Sequence, residues 1–288
     1  MSFTIDFRSN NLLIDELLKQ ESISKPKKSS FVDKLFVKKK EYAYIYFHTG
    51  TLDNEATEKI KNAKLVIVNS LLAQKEVLSK LNIEKEKVQV IYPAINMEYK
   101  KPKEVKEQFC NKHQIDSKKK IIFFTGKNLK SSGVIEFINI TMQLTMPDIF
   151  MIIAGDSKQI YNLKFQLSKF NLEEKLLLLE DYSDTNELFL ASDIFLLPTH
   201  NKSFATNVLK AMFCKCVVFT TANNAAKELI DVFSTMENPS DRSIQFKLEA
   251  ILQNKEDMKL IKKQNRKVAK EYSLENQLQK FNALLETL

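Results

Sequence analysis

The stretch 176–221, LLLLEDYSDTNELFLASDIFLLPTHNKSFATNVLKAMFCKCVVFTT, constrains the fold most, because it reads as strand, helix, strand, loop, helix, strand with almost no spare residues. The apolar runs 176–179 and 194–197 are short and continuous, as strands covered on both faces should be, and Pro198 ends the second. Between them Asp184 stands where a helix N-cap belongs and Glu187 follows at capping-box spacing, while Leu188, Phe189 and Ala191 supply a buried stripe. Strands and helices alternating at this pace give an α/β fold of parallel strands joined by right-handed crossovers, and such sheets take ligands beyond the carboxyl ends of their strands. The loop 198–203 lies at such an end. The helix after it points unpaired N–H groups and a positive dipole end at whatever sits there, and a phosphate is the expected guest.

A chain of 288 residues with 44% hydrophobic composition can bury a substantial core and has room for two domains. No uncharged apolar run reaches membrane-spanning length. The start, MSFTIDFRSNN, lacks the basic and apolar regions of a secretion signal, so the expected location is the cytoplasm. Cys110, Cys214 and Cys216 are odd in number and not spaced for zinc, so they read as reduced packing residues, with no metal site. The net charge of +8 calls for anionic partners. Nearly all of it is lysine: only Arg8, Arg242 and Arg266 are arginine and there is no tryptophan, so the forked donors that read bases are almost absent and nucleic acid is not an expected partner.

The polar, helix-like segment at Pro102 divides the chain into domains 1–100 and 101–288. In the first, expected strands at 3–7, 42–47, 65–68 and 88–92 alternate with helices at 11–20, from about Asp53, and at 71–81. A lysine-rich segment from Lys25 to Lys40 interrupts this pattern, either as a mobile basic loop or as a contact with an anionic membrane surface. The second domain opens with a strand at 120–125 and the loop GKNLKSSG. A helix from Val134 follows, with Ile135, Ile138, Met142 and Leu144 spaced for burial. Next come a strand at 150–154 and a helix through Ile160, Leu163, Leu167 and Phe170. Past the opening stretch, with a strand at 216–220, NNAAKELI begins a sheet-packing helix and 243–288 is helical.

Three patterns together resemble the family 4 glycosyltransferases, which have the GT-B fold. The first is the succession AKLVIVNS, helix, VQVIYPAIN, which is similar to the way that family's acceptor half hands over to its donor half. The second is the loop of Gly126, Lys127, Ser132 and Gly133, which is similar to a Gly-Arg, spacer, Lys-Gly element. The third is Lys202, Ser203, Phe204, Ala205, four residues, then Lys210, Ala211, Met212, where the family has Glu-Gly-Phe-Gly, four residues, Glu-Ala-Met. The resemblance implies two Rossmann-like domains in a GT-B arrangement, the first of them reduced, with the terminal helix 274–285 crossing back over the first domain.

It also implies a metal-independent transfer of a sugar from a nucleotide-diphosphate donor to a glycan or lipid-linked acceptor, with no further cofactor. In that reading Lys127, with Lys130 nearby, offsets the charge of the departing diphosphate. Gly126, Ser132, Gly133, Lys202, Ser203, Phe204, Ala205, Thr206 and Lys210 form the donor site. His48, in a His-Thr-Gly at a strand end, corresponds to the loop that faces the donor sugar. Lysine at 202 and 210 departs from the pattern in kind, because a carboxylate accepts hydrogen bonds from sugar hydroxyls and an ammonium only donates. A catalytically inactive relative that binds a glycan or a partner transferase is therefore the alternative. An unrelated Rossmann-like nucleotide enzyme lacks its dinucleotide fingerprint here.

Overall fold

A computed structural model describes residues 2–26, 41–170, 172 and 174–287. Most of the lysine-rich segment, residues 27–40, lies outside them. The chain forms two compact units, Met1–Asn96 with Tyr272–Leu288, and Met97–Glu271. The final residues, counted by the sequence reading with the second domain, belong to the first.

The first unit holds a parallel sheet of β1 (Phe3–Phe7), β2 (Ile23–Ser24), β3 (Ile45–His48), β4 (Leu65–Val68) and β5 (Val88–Val90), in the order β2-β1-β3-β4-β5. Alternate side chains serve opposite faces. Ile5, Ile45, Phe47 and Ile67 form one core with Leu13 and Leu17 of the helix Leu12–Leu17 and with Phe281. Tyr46, Val66 and Val68 form the other with Ile60 and Val77, from the helices Asn54–Asn62 and Leu71–Lys80. The last helix, Leu274–Glu286, returns to this unit because Ile95 N–H donates to Tyr272 O (3.0 Å) and Leu274 N–H donates to Ile95 O (2.9 Å). Phe281, fully buried, stacks on Phe47 at 5.7 Å. Burying a side chain of that size contributes about 1.5–3 kcal/mol.

The second unit holds β6 (Lys120–Thr125), β7 (Ile149–Gly155), β8 (Leu176–Glu180), β9 (Ile194–Leu197), β10 (Val217–Thr221) and β11 (Thr235–Met236), all parallel, in the order β11-β10-β9-β6-β7-β8. This is the doubly wound arrangement, and its order reverses between β6 and β9. Asp193, just before β9, pins the opposite end of the sheet: it accepts from Lys106 and Lys262 (2.7 Å each) and from Ile121 N–H (3.1 Å). Burial pushes its pKa up, but Lys262 and Lys106 outweigh burial and hold the carboxyl far below the usual range.

Two parallel α/β sheets are what the sequence implies, and three details differ. Helix Val134–Met142 buries Val134, Phe137, Ile138 and Thr141, leaving Ile135 and Met142 exposed, so its apolar stripe is rotated from the expected one. Residues Ala225–Leu229 form only a 3-10 turn, because Asn224 caps Ala226 N–H and Asp231 starts a second short turn that leads into β11. Residues 176–179 form a strand, but at the sheet edge and only half covered, and Phe170 is exposed.

Candidate functional site

Strand reversal leaves a gap where the chain ends leaving β6 and β9 turn in opposite directions, and a cavity of about 720 Å³ occupies it. That is within the range of small-molecule sites. Its wall is made by the two loops that follow these strands and by the start of the helix Thr206–Phe213.

The first loop turns tightly after Thr125. Ser132 N–H donates to Asn128 O (2.9 Å), Gly133 N–H to Lys130 O (3.1 Å) and Val134 N–H to Leu129 O (3.0 Å). Gly133 has φ +89°, and a Cβ there would lie 1.8 Å from Pro198 O, so only glycine lets the loops after β6 and β9 meet. A Cβ on Gly126 would fall 2.2 Å from Ser132 Oγ. Gln159, on the helix Ser157–Leu167, fixes the loop from the side, accepting from Leu129 N–H (2.6 Å) and donating to Lys127 O (3.1 Å).

The second loop is stapled to the first through Ser131 O, which accepts from His200 N–H (3.1 Å), Asn201 Nδ2 (3.2 Å) and Thr199 Oγ1 (3.3 Å). From beneath, buried Asn224 donates to Asn201 O (2.8 Å) and Ser203 O (2.7 Å) and accepts from Ala205 N–H (3.3 Å). Lys202 O accepts from Ala225 N–H (3.0 Å). Carbonyl groups of this loop are thereby drawn into the protein body. The helix Thr206–Phe213 follows Ala205, whose side chain offers no cap for the first-turn amides, and Thr206 and Asn207 of that turn line the cavity.

The charge pattern decides what such a cavity suits. Among the described residues Lys127 and Lys202 line it, neither in an ion pair, and no carboxylate does. Two ammonium groups, backbone amides, hydroxyls and side-chain amides form a donor-rich surface for an anion. Of the residues singled out from sequence, Gly126, Lys127, Ser132, Lys202, Ser203, Phe204, Ala205 and Thr206 share this wall. Lys130, exposed on the first loop, Gly133, behind it, and Lys210, half-buried in the last turn of the helix, do not. Asn128, Ser131, Asn207, Gln159 and Asn224 complete or support the site. Sequence reasoning had no signal for the last two, because their partners are distant along the chain.

His48 lies in the first unit, at the carboxyl end of β3 and thus at that sheet's own reversal between β1 and β3. It is buried, its Nδ1 has no hydrogen-bond partner among the described residues, and burial lowers its pKa, with nearby Glu76 opposing. Arg8 donates to Thr51 O (3.0 Å) and pairs with Asp53, the N-cap of Asn54–Asn62, while Ser9 and Thr49 hydroxyls meet at 2.7 Å. Elsewhere, His200 contacts Glu136 (2.9 Å), and the three cysteines are buried and free. No helix among the described residues is long and apolar enough to cross a membrane.

Residues 105–268 match the family described as Glycosyl transferases group 1. No curated protein matches the chain. Among solved structures, the fold is similar to a glycosyltransferase from Rickettsia africae ESF-5 (TM-score 0.73, 18% identity, covering 98% of this chain and 89% of that one). It is similar to Anabaena Alr3699/HepE in complex with UDP (TM-score 0.72, 16% identity, 85% and 72%). It is also similar to WaaG, a glycosyltransferase involved in lipopolysaccharide biosynthesis (TM-score 0.70, 12% identity, 98% of both chains).

Proposed function

From the premise that this chain belongs to the group 1 glycosyltransferases and has their GT-B fold, we propose that it is a family 4 type enzyme. It moves a hexose-like sugar from a nucleotide-diphosphate donor to a glycan or lipid-linked acceptor, as in polysaccharide assembly. The observation that carries this reading is the cavity at the β6/β9 reversal, which has two ammonium groups, an uncapped helix start and no carboxylate. As the glycosidic bond breaks, negative charge gathers on the leaving diphosphate. In this reading Lys127 and the first turn of the helix, which line the cavity, offset that charge.

In this proposal Gly126 and Ser132 let the diphosphate approach the backbone, and Ser203, Phe204, Ala205 and Thr206 present the amide face. Lys202 adds a second charge, and Lys130 and Lys210 contribute field from outside the wall. His48 serves as a neutral hydrogen-bonding group on the acceptor side. Lysines take the charge-offsetting role a metal has in other transferases, so turnover is expected to survive a chelator. No cofactor beyond the co-substrate is required. The proposed location is the cytoplasm, with the lysine-rich segment 25–40 and the net charge of +8 favouring peripheral contact with an anionic inner membrane face.

One observation favours a second reading. A cavity without a carboxylate has no charged acceptor for ribose or sugar hydroxyls, as expected of an inactive relative that keeps the fold to bind a glycan or a partner. Nucleotide release from UDP-glucose and other nucleotide sugars, measured with and without glycan acceptors and with EDTA, separates the two. UDP and UDP-glucose come first because Alr3699/HepE is seen with each. Chelator-resistant release supports the enzyme. Binding without release across the donor panel selects the inactive relative.

A further inference from the structure

We propose that a lysine-lined cavity at the amino ends of β6, β9 and β10 is a second anion site, which takes a ligand carrying two or more phosphate groups. The cavity at the β6/β9 reversal lies beyond the carboxyl ends of the same parallel strands, so a full strand length separates the two. The second has a volume of about 350 Å³, inside the range of small-molecule sites. Lys120 opens β6 and Lys215 stands just before β10. The helix Lys255–Lys270 brings Lys255, Lys259, Lys262 and Lys263 to the same wall, together with buried Met258. That helix is fixed on the sheet: Asn265 Nδ2 donates to Cys216 O (2.9 Å) and Arg266 Nη1 donates to Phe213 O (2.7 Å).

The wall is cationic and its charge is not matched within the protein. Its one carboxylate, Asp193, is saturated by Lys262 and by Lys106 from outside the wall (2.7 Å each). Among the described residues, Lys120, Lys215, Lys255, Lys259 and Lys263 enter no ion pair. Glu256 and Asp257 follow Lys255 on the helix, but neither lines the cavity.

This arrangement costs stability unless an anion is present. Lys255, Lys259 and Lys263 recur at four-residue spacing on one helix, where like charges repel. Lys255 also stands in the first turn, where the helix dipole disfavours a cation. Lys215 has φ +63°, which glycine adopts freely and lysine does not, at the turn where its N–H donates to Met212 O (3.1 Å). The Tyr99 ring, 5.5 Å from the Lys215 ammonium, attracts that charge without neutralising it.

The lining chooses the class of anion. An ammonium meets phosphate as a point charge, and the cavity has no arginine fork for a planar carboxylate. One phosphate group carries at most about two charges at neutral pH, too few for these lysines, so two or more are required. No aromatic side chain among the described residues lines the cavity to stack a base, which sets nucleic acid aside. A free polyphosphate and the crowded phosphates of a lipid surface share the remaining chemistry.

Titration calorimetry of sodium tripolyphosphate into the full chain tests the site. One-to-one binding is expected, and it should persist in Lys127→Gln/Lys202→Gln, which removes the ammonium groups of the other cavity. Lys259→Gln/Lys263→Gln, at exposed positions, should weaken it about tenfold. Lys215→Gly should also weaken it while the unfolding midpoint without the anion holds or rises, a combination that a merely structural lysine would not give. Cosedimentation with phosphatidylcholine vesicles, with and without phosphatidate, distinguishes the sources. Phosphatidate-dependent binding that is lost in Lys259→Gln/Lys263→Gln assigns the phosphates to a lipid surface, and tripolyphosphate binding alone assigns them to a free ligand. Binding of neither, or binding that these cavity variants leave unmoved or that Lys127→Gln/Lys202→Gln abolishes, overturns the proposal.

Discussion

Replacing Asn224 with alanine removes a side chain that is 1% exposed and holds the second cavity loop from below. Its amide accepts from Ala226 N–H (3.0 Å) and Ala205 N–H (3.3 Å) and donates to Asn201 O (2.8 Å) and Ser203 O (2.7 Å). Asn201 and Ser203 are exposed, so water can replace the two donated bonds and each counts at the low end of ~0.5–1.5 kcal/mol. Ala226 is fully buried, and its N–H left without a partner costs about 1–3 kcal/mol. The sum is about 2–4 kcal/mol, a fall of about 5–10 °C in the unfolding midpoint for a domain of this size. Asn224→Asp is a sharper form of the test. It keeps the shape and the accepting oxygen but turns a carboxylate toward two carbonyl oxygens, so it should destabilise at least as much. Differential scanning calorimetry reads the stability, and titration with UDP well below the midpoint reads the site. Midpoints within a degree or two of wild type, or a large loss of stability with unchanged affinity, would refute the claim that Asn224 preorganises the loop.

Gly133→Ala forces φ +89° on a Cβ that meets Pro198 O at 1.8 Å, so a loss of more than about 3 kcal/mol is expected in urea unfolding, and near-normal stability would contradict the close approach of the loops. Asp193→Ala leaves Lys106 and Lys262 without their carboxylate in a largely covered position and should cost about 3–5 kcal/mol by the same measurement. Burial lowers the pKa of His48, so between its folded value and about 6.5 the unfolded chain binds more protons and stability rises with pH. Stability should therefore fall as pH drops below about 6.5, and His48→Gln should flatten that slope. His113, shifted the same way by burial, needs a parallel His113→Gln control, and an unchanged slope in His48→Gln would show that His48 is not held neutral.

The sheets were legible because their strands are continuous apolar runs. Residues 3–7, 65–68 and 120–125 were delimited from sequence as they stand in the fold, and Asp53 and Asp184 cap the helices that they introduce. Asp184 accepts from Asn186 and Glu187 N–H, but Glu187 does not reach back; its carboxylate accepts from Tyr182 instead. β2 and β11 escaped notice because two residues carry no period. The loop GKNLKSSG and the turn at Ser203 were visible as glycine and polar breaks at strand ends, and both line the cavity. Asn224 and Gln159 were not, since an amide's role depends on partners 19 to 32 residues away. The edge position of β8 is not legible in sequence, because a run of leucines says how apolar a strand is and not whether a neighbour covers it.

The proposed function requires the β6/β9 cavity to hold a nucleoside diphosphate through its cationic, carboxylate-free wall. Isothermal titration of UDP, and of ADP, GDP and CDP in turn, into wild type and Lys127→Gln/Lys202→Gln tests it most directly. At least one nucleotide should bind, more weakly with added salt and about tenfold more weakly to the double variant. No binding of any of the four, or equal affinity in the two proteins, would contradict it.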